Sequence, residues 1–315
     1  MMSAVEGEDE AVKAFTEFYP KYMPKKDRLT SLQFKPRASD VIIATTPKSG
    51  TTMMQHLVHG LRTGGSVDFE EINCVVPHIE YSKSIGMDLD VEQVATPRVY
   101  KTHECYDFCP KGAGRYIVVI RHPLDICPSL YSFLNGWLFP SQSISPDTFI
   151  RLFMLNRKYR PDDINDRPSF FYVIESWWKR RNDDNVLFLF YEDIIENLAE
   201  TVRRVAHFIG CGEGDEKLLE LVTKQASKEF MLEHVSKFDS HVFRRIRNKA
   251  CGLPEDIGRE NAKVRREGDG IRRRHLSPEI VKEIDLAWKP IEKLTGCASY
   301  DELRAKYGTK LFCLS

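Results

Sequence analysis

Lys48 and Gly50 stand in the stretch IATTPKSGTTMMQHL, Ile43 to Leu57. A β-branched apolar run enters a polar loop and leaves as a helix with apolar residues at helical spacing. A strand–loop–helix turn of this kind collects an anion, because backbone N–H groups converge at the helix start and the helix dipole adds positive potential there. Ser49, Thr51 and Thr52 add hydroxyl donors, and Lys48 adds a mobile cation. In a Walker A loop, G-x-x-x-x-G-K-[ST], the lysine follows the second glycine. Here it precedes Gly50, and position 45, where the first glycine would fall, is a threonine. The chemistry that fits is the binding of one terminal phosphate carrying another small anionic group, rather than a nucleoside triphosphate.

Other reactive residues lie further along. His103 sits in VYKTHE with Lys101 two residues before it. An imidazole titrates near neutral pH and suits proton transfer. Among nine histidines, an isolated one is more often structural. His103, Cys105 and Cys109 are zinc-ligand types, but they make three ligands with no second pair nearby, so no metal is expected. Arg121 and Ser129 lie eight apart on either side of a proline that opens a helix, Pro123. Arginine suits phosphate through its planar donor fork.

The elements that must position these residues read as an alternating pattern. Helices are expected over Ala11–Tyr22, Thr51–Leu61, from Pro123 onward, Phe170–Arg181 and Ile194–Ile209. Strands are expected over Asp40–Thr46, Arg98–Thr102, Tyr116–Ile120 and Val186–Tyr191. Pro128 would kink the helix begun at Pro123. Strands alternating with helices give a parallel sheet with right-handed crossovers, an α/β fold with helices on both faces. Arg244–Arg274 has little apolar periodicity and holds eleven Lys and Arg against five Asp and Glu. Two helices follow, about Pro278–Leu294 and Tyr300–Tyr307.

The loop T-x-P-K-S-G-T-T resembles the 5′-phosphosulfate loop of the cytosolic sulfotransferases, which use 3′-phosphoadenosine 5′-phosphosulfate (PAPS) as sulfuryl donor. Six further stretches resemble that family in order: VPHIE (Val76 to Glu80), KTH (Lys101 to His103), RHPLDICPSLYSF (Arg121 to Phe133), SWWKRRNDDNVLFLFYEDIIEN, ASKEFM and RREGDGIRRRHLS. The resemblance covers roughly residues 30 to 295. It implies the sulfotransferase fold, a single α/β domain over 30–315 preceded by an N-terminal helical segment, 1–29.

The resemblance also implies roles. His103 would be the base that deprotonates the acceptor, with Lys48 and Lys101 stabilising charge. Lys48, Ser49, Gly50, Thr51, Thr52, Met53, Arg121, Ser129, Tyr191, Ser227, Met231, Arg265, Arg266 and Gly268 would bind the donor. His78 and Phe133 would join His103 on the acceptor. Met53 replaces an adenine-stacking tryptophan, Lys228 a stacking aromatic, Ala226 a threonine and Glu267 a lysine. His78 stands where a phenylalanine walls the acceptor pocket, which argues for an acceptor more polar than a simple phenol. The family's dimer signature K-x-x-x-T-V-x-x-x-E reads Arg273-x-x-x-Ser277-Pro278-x-x-x-Lys282 here, which leaves that dimer unsupported.

Composition bounds the reading. Lys plus Arg and Asp plus Glu both number 46 in 315 residues, so no global charge draws nucleic acid or membrane. The first residues, MMSAVEGEDE, lack a secretory pattern, and no apolar run is long enough to span a bilayer. A cytoplasmic protein with reduced thiols is expected. The expected reaction is sulfuryl transfer from PAPS to a small-molecule alcohol, phenol or amine, leaving adenosine 3′,5′-bisphosphate (PAP). The alternatives are a non-catalytic or dehydratase-type member of the same fold, or a P-loop kinase, against which the loop order counts.

Overall fold

A computed structural model describes residues 7–258, 263–264 and 273–311. Four strands form one sheet: β1 (Val41–Thr45), β2 (Val99–Thr102), β3 (Arg115–Ile120) and β4 (Val186–Phe190). The spatial order is β2-β1-β3-β4 and every pairing is parallel. The apolar β-branched runs account for this, since a parallel sheet is covered on both faces. Side chains alternate between the faces. Ile42, Ala44, Tyr100, Val118 and Phe188 enter one buried cluster. Val41, Ile43, Val99, Val119 and Leu189 enter the other.

Each face has its own helices. The N-terminal helix Glu8–Tyr22 places Ala11, Phe15 and Tyr22 in the first cluster, which also takes in Trp177 and Trp178 of the helix Phe170–Trp178. The helix Thr51–Thr63 places Met54, Leu57, Val58 and Leu61 in the second, against Val202, Val205 and Ile209 of Leu198–Ile209. Gly64 ends the first of these with φ 68°, a left-handed backbone that glycine adopts without a Cβ penalty.

The elements fall where the sequence pattern puts them, with four adjustments. The expected helix Ile194–Ile209 is two, Tyr191–Glu196 and Leu198–Ile209, because Asn197 leaves helical space at φ −135° and ψ 54°. The expected helix Pro278–Leu294 also divides, into Pro278–Ala287 and Lys289–Thr295, where Pro290 has no N–H to continue the ladder. The helix begun at Phe170 stops at Trp178 rather than Arg181. The helix begun at Pro123 runs through Pro128 and ends at Leu134. At the sixth residue the proline withdraws only one intrahelical donor. Among the described residues no helix is long and apolar enough to cross a membrane.

Candidate active site

The carboxyl ends of the strands lie side by side. Register pairs Ala44 with Thr102, Thr45 with Val119 and Ile120 with Phe190. The residues that leave those ends, Lys48, His103, Arg121 and Tyr191, line one cavity of about 680 Å3. This is where an open parallel sheet binds its ligands.

The loop after β1 is shaped by two left-handed residues, Lys48 at φ 63° and Gly50 at φ 81°. Gly50 opens the helix Thr51–Thr63 without a capping side chain, so the first-turn N–H groups point toward the cavity end of the helix. A Cβ on Gly50 would lie 2.6 Å from the Tyr191 ring, so both the backbone angle and the ring require glycine. Around the turn, Thr45 and Thr51 share a hydroxyl hydrogen bond of 2.6 Å, and Ser49, fully buried, shares one with Thr46. The Ser49 hydroxyl is therefore spent inside the loop. Lys48 lays its ammonium 4.3 Å from the Phe133 ring centre.

Arg121 ties the loop to the next strand. Its Nη1 donates to the Lys48 carbonyl at 2.9 Å, and its guanidinium lies 4.5 Å from the Tyr191 ring centre. Its buried Nε has no hydrogen-bond partner among the described residues. Thr51, Thr52, Met53, Ser129, Lys228 and Met231 line the same cavity. Ser227 does not. Its hydroxyl accepts from the Phe230 N–H and caps the helix Lys228–Glu233. Arg265, Arg266 and Gly268 lie outside the described residues. An orphaned arginine nitrogen, an open helix start and a glycine cradle under an aromatic ring are features that fit an adenosine phosphate anion.

His103 is held on two sides. Its backbone N–H donates to Glu80 Oε1 at 2.6 Å, and its Nδ1 lies 2.9 Å from the Thr45 carbonyl. A carbonyl only accepts, so Nδ1 carries the hydrogen and Nε2 keeps its lone pair. Burial, with His78 and Lys101 nearby, lowers the His103 pKa to about 3, so the ring is neutral. The His78 ring stands edge-on to it at 4.8 Å. Burial first, then Lys101, lowers the pKa of His78 well below the usual value. His78 Nε2 lies 3.3 Å from Glu80 Oε2, and both buried atoms lack a hydrogen-bond partner among the described residues. Lys101 is buried at the end of β2, and burial and Lys263 lower its pKa well below the usual lysine value.

Cys105 and Cys109 are buried, and burial pushes both thiols up, that of Cys105 to about 12. They do not gather with His103, and no three His, Cys, Asp or Glu among the described residues could hold a metal ion. Two residues of this site were not singled out from the sequence. Glu80 sits in the quoted VPHIE stretch, and only its buried bond to the His103 backbone reveals its part. Lys263 reaches the cavity from a segment whose charges look solvated in sequence.

Residues 38–298 match the family model described as the sulfotransferase domain. The chain belongs to the sulfotransferase domain family. Sulfotransferase 4A1 of Homo sapiens is 33% identical over 198 residues, 61% of this chain and 66% of that protein. Sulfotransferase 1B1 of Canis lupus familiaris is 30% identical over 214 residues, 64% of this chain and 69% of that protein. The chain thus spans about two thirds of the length of the curated relatives it matches. Two solved structures share the fold. Retinol dehydratase, in complex with androsterone and inactive cofactor PAP, superposes with TM-score 0.66 at 19% identity, covering 91% of this chain and 94% of that one. Mouse sulfotransferase SULT7A1, complexed with PAP, gives 0.59 at 20%, covering 86% and 91%. In this sulfotransferase-family chain, Gly50 and Tyr191 both lie within the matched region.

Proposed function

We propose that the protein is a cytoplasmic PAPS-dependent sulfotransferase acting on a hydroxyl or amine of a small molecule. The observation that supports this best is the convergence of Lys48, His103, Arg121 and Tyr191, each from a different strand end, on one cavity. The loop Thr46–Gly50, the hydroxyls of Thr51 and Thr52 and the Lys48 ammonium would hold the 5′-phosphosulfate. Arg121 and Ser129, with Arg265, Arg266 and Gly268, would hold the 3′-phosphate. Tyr191, Met53 and Met231 would flank the adenine. Bound there, the donor supplies a sulfuryl group whose bridging oxygen gathers negative charge as the S–O bond breaks.

His103 is suited to the proton. Its neutral ring keeps Nδ1–H on the Thr45 carbonyl and offers Nε2 to the acceptor's O–H or N–H. Glu80 fixes its backbone, which sets where Nε2 points. Lys48 would stabilise the departing bridging oxygen and Lys101 the sulfuryl oxygens, the kind of preorganised charge that strengthens as charge develops. An anionic donor beside Lys101 also favours that amine's charged form. The Ser49 hydroxyl supports the turn through its bond to Thr46.

The test is transfer of labelled sulfate from PAPS to a panel of alcohols, phenols and amines. Labelled acceptor formed in step with PAP supports the reading. Phosphoryl transfer from ATP to the same panel, with no sulfate transfer, overturns it.

A further inference from the structure

The half of the cavity beyond His103 has a charge imbalance that the donor does not absorb. Seven Lys and Arg side chains line the cavity, against three Glu. All three carboxylates are engaged elsewhere. Glu104 takes two hydrogen bonds from Arg28, at 2.6 and 2.7 Å. Glu192 accepts from the Tyr300 hydroxyl at 2.5 Å, and Glu196 pairs with Arg304. Lys48, Lys101, Arg121 and Lys228 fall on the side proposed for the donor, and Lys263 lies against Lys101.

Arg157 and Arg167 remain, side by side on the acceptor side. Arg157 lies 4.5 Å from the Phe153 ring centre and Arg167 5.9 Å from that of Tyr81. Neither has a carboxylate within ion-pair distance among the described residues, whereas Arg28, Arg98, Arg244 and Arg304 each have one. Aromatic faces hold the guanidinium planes but leave their N–H edges to other partners. Burial, and Arg167 nearby, lower the Arg157 pKa, while that of Arg167 is held above its usual value against burial by Tyr81, Tyr19, Glu104 and Glu80. A group that accepts several N–H bonds and carries negative charge would relieve the repulsion and add acceptors to the Tyr81 hydroxyl that Arg167 already meets.

The position of the pair relative to the base is set by a run of contacts. His103 touches His78 at 4.8 Å, His78 touches Tyr81 at 4.2 Å, and Tyr81 adjoins Arg167. Between the two ends the walls are apolar, with Tyr19, Phe133, Trp137, Phe153 and Phe243 in the lining.

We propose that the acceptor is an amphipathic anion, with its hydroxyl or amine at His103, an apolar ring body along the aromatic walls, and a carboxylate or similar oxyanion between Arg157 and Arg167. This rests on the proposed sulfotransferase reading for the reaction, but the anion subsite stands on its own geometry. The same guanidinium chemistry would accept a carboxylate, sulfonate or phosphate tail. It would not reward a neutral amide of equal shape.

The test is calorimetric and needs no turnover. The protein is first titrated with PAP. It is then titrated with 3-(4-hydroxyphenyl)propanoate and with the matching neutral 3-(4-hydroxyphenyl)propanamide. The carboxylate should bind about 10- to 100-fold more tightly, the scale of hydrogen bonds to a charged group. Arg157→Gln and Arg167→Gln should each pull that ratio toward one, and Arg167→Lys should restore part of it. PAP binding by each variant shows that it is folded. Equal binding of the two ligands by the wild-type protein, or a ratio that neither glutamine variant changes, overturns the proposal. Failure of the first titration with PAP would overturn the donor reading instead, while the carboxylate-to-amide ratio still decides the arginine pair.

Discussion

The two halves of the cavity, one proposed for the donor and one for the acceptor, are built in opposite ways. The donor half is made of short contiguous stretches, each starting where a parallel strand ends: Thr46–Gly50 after β1, Arg121 after β3, Tyr191 after β4. Backbone angles, helix starts and one glycine set its shape. The acceptor half is assembled from side chains far apart in the chain, among them Tyr19, His78, Tyr81, Arg157, Arg167 and Phe243. Its shape comes from packing. The donor side should therefore fail sharply when one backbone feature is changed. The acceptor side should change preference before it fails.

The largest effect is expected where the halves meet. His103→Ala should lower sulfate transfer by about 10²–10⁴, the usual cost of losing a general base, while PAP still binds. His78→Phe, across the acceptor wall, should shift acceptor preference and leave transfer measurable. If His103→Ala turns over normally and His78→Phe is dead, His78 is the base and the boundary between the halves is misplaced.

Lys48→Met should come next, lowering kcat by about 10²–10³, the scale for removing one preorganised charge-stabilising donor. Steady-state kinetics with PAPS would show it as a fall in kcat rather than a rise in KM alone. Gly50→Ala should weaken PAP binding by roughly tenfold or more, since a left-handed alanine is strained by about 1–3 kcal/mol and its Cβ would press on the Tyr191 ring. An alanine variant that binds PAP normally would show that the cradle is not what shapes the donor half.

The smallest effect concerns the helix that carries the loop. His56 and His59, both buried in Thr51–Thr63, have pKa values lowered by burial to about 4 and about 3. The unfolded chain binds their protons near 6.5 while the folded chain does not, so stability is full above that value and falls as pH drops below it. Each ring should cost on the order of 1 kcal/mol by about pH 5.5. Thermal melts between pH 7.5 and 5.5 read this directly. His59→Gln should flatten the dependence. A Tm that holds constant over that range would contradict the neutral buried state of both rings.

What could be read from the sequence follows the same division. β1, its loop and the following helix were legible because a β-branched run, a K-S-G-T-T turn and a 3.6-residue period lie next to one another. The alternation of strands and helices gave the parallel sheet, though not its order β2-β1-β3-β4, since register depends on packing between distant segments. Ser227, which sits among the expected donor residues in sequence, caps the helix Lys228–Glu233 in space, a role the motif does not announce. Arg157 and Arg167 were invisible as a pair. They lie in a stretch with no period, and solvated arginines look the same until the fold places them against aromatic rings, without carboxylate partners among the described residues.

The most direct measurement of the central claim is a calorimetric comparison of PAP with 5′-AMP on the wild-type protein. PAP should bind, and 5′-AMP should bind on the order of 10²-fold more weakly, because it lacks the 3′-phosphate that charged donors such as Arg121 would meet. Equal affinities for the two nucleotides would contradict the account.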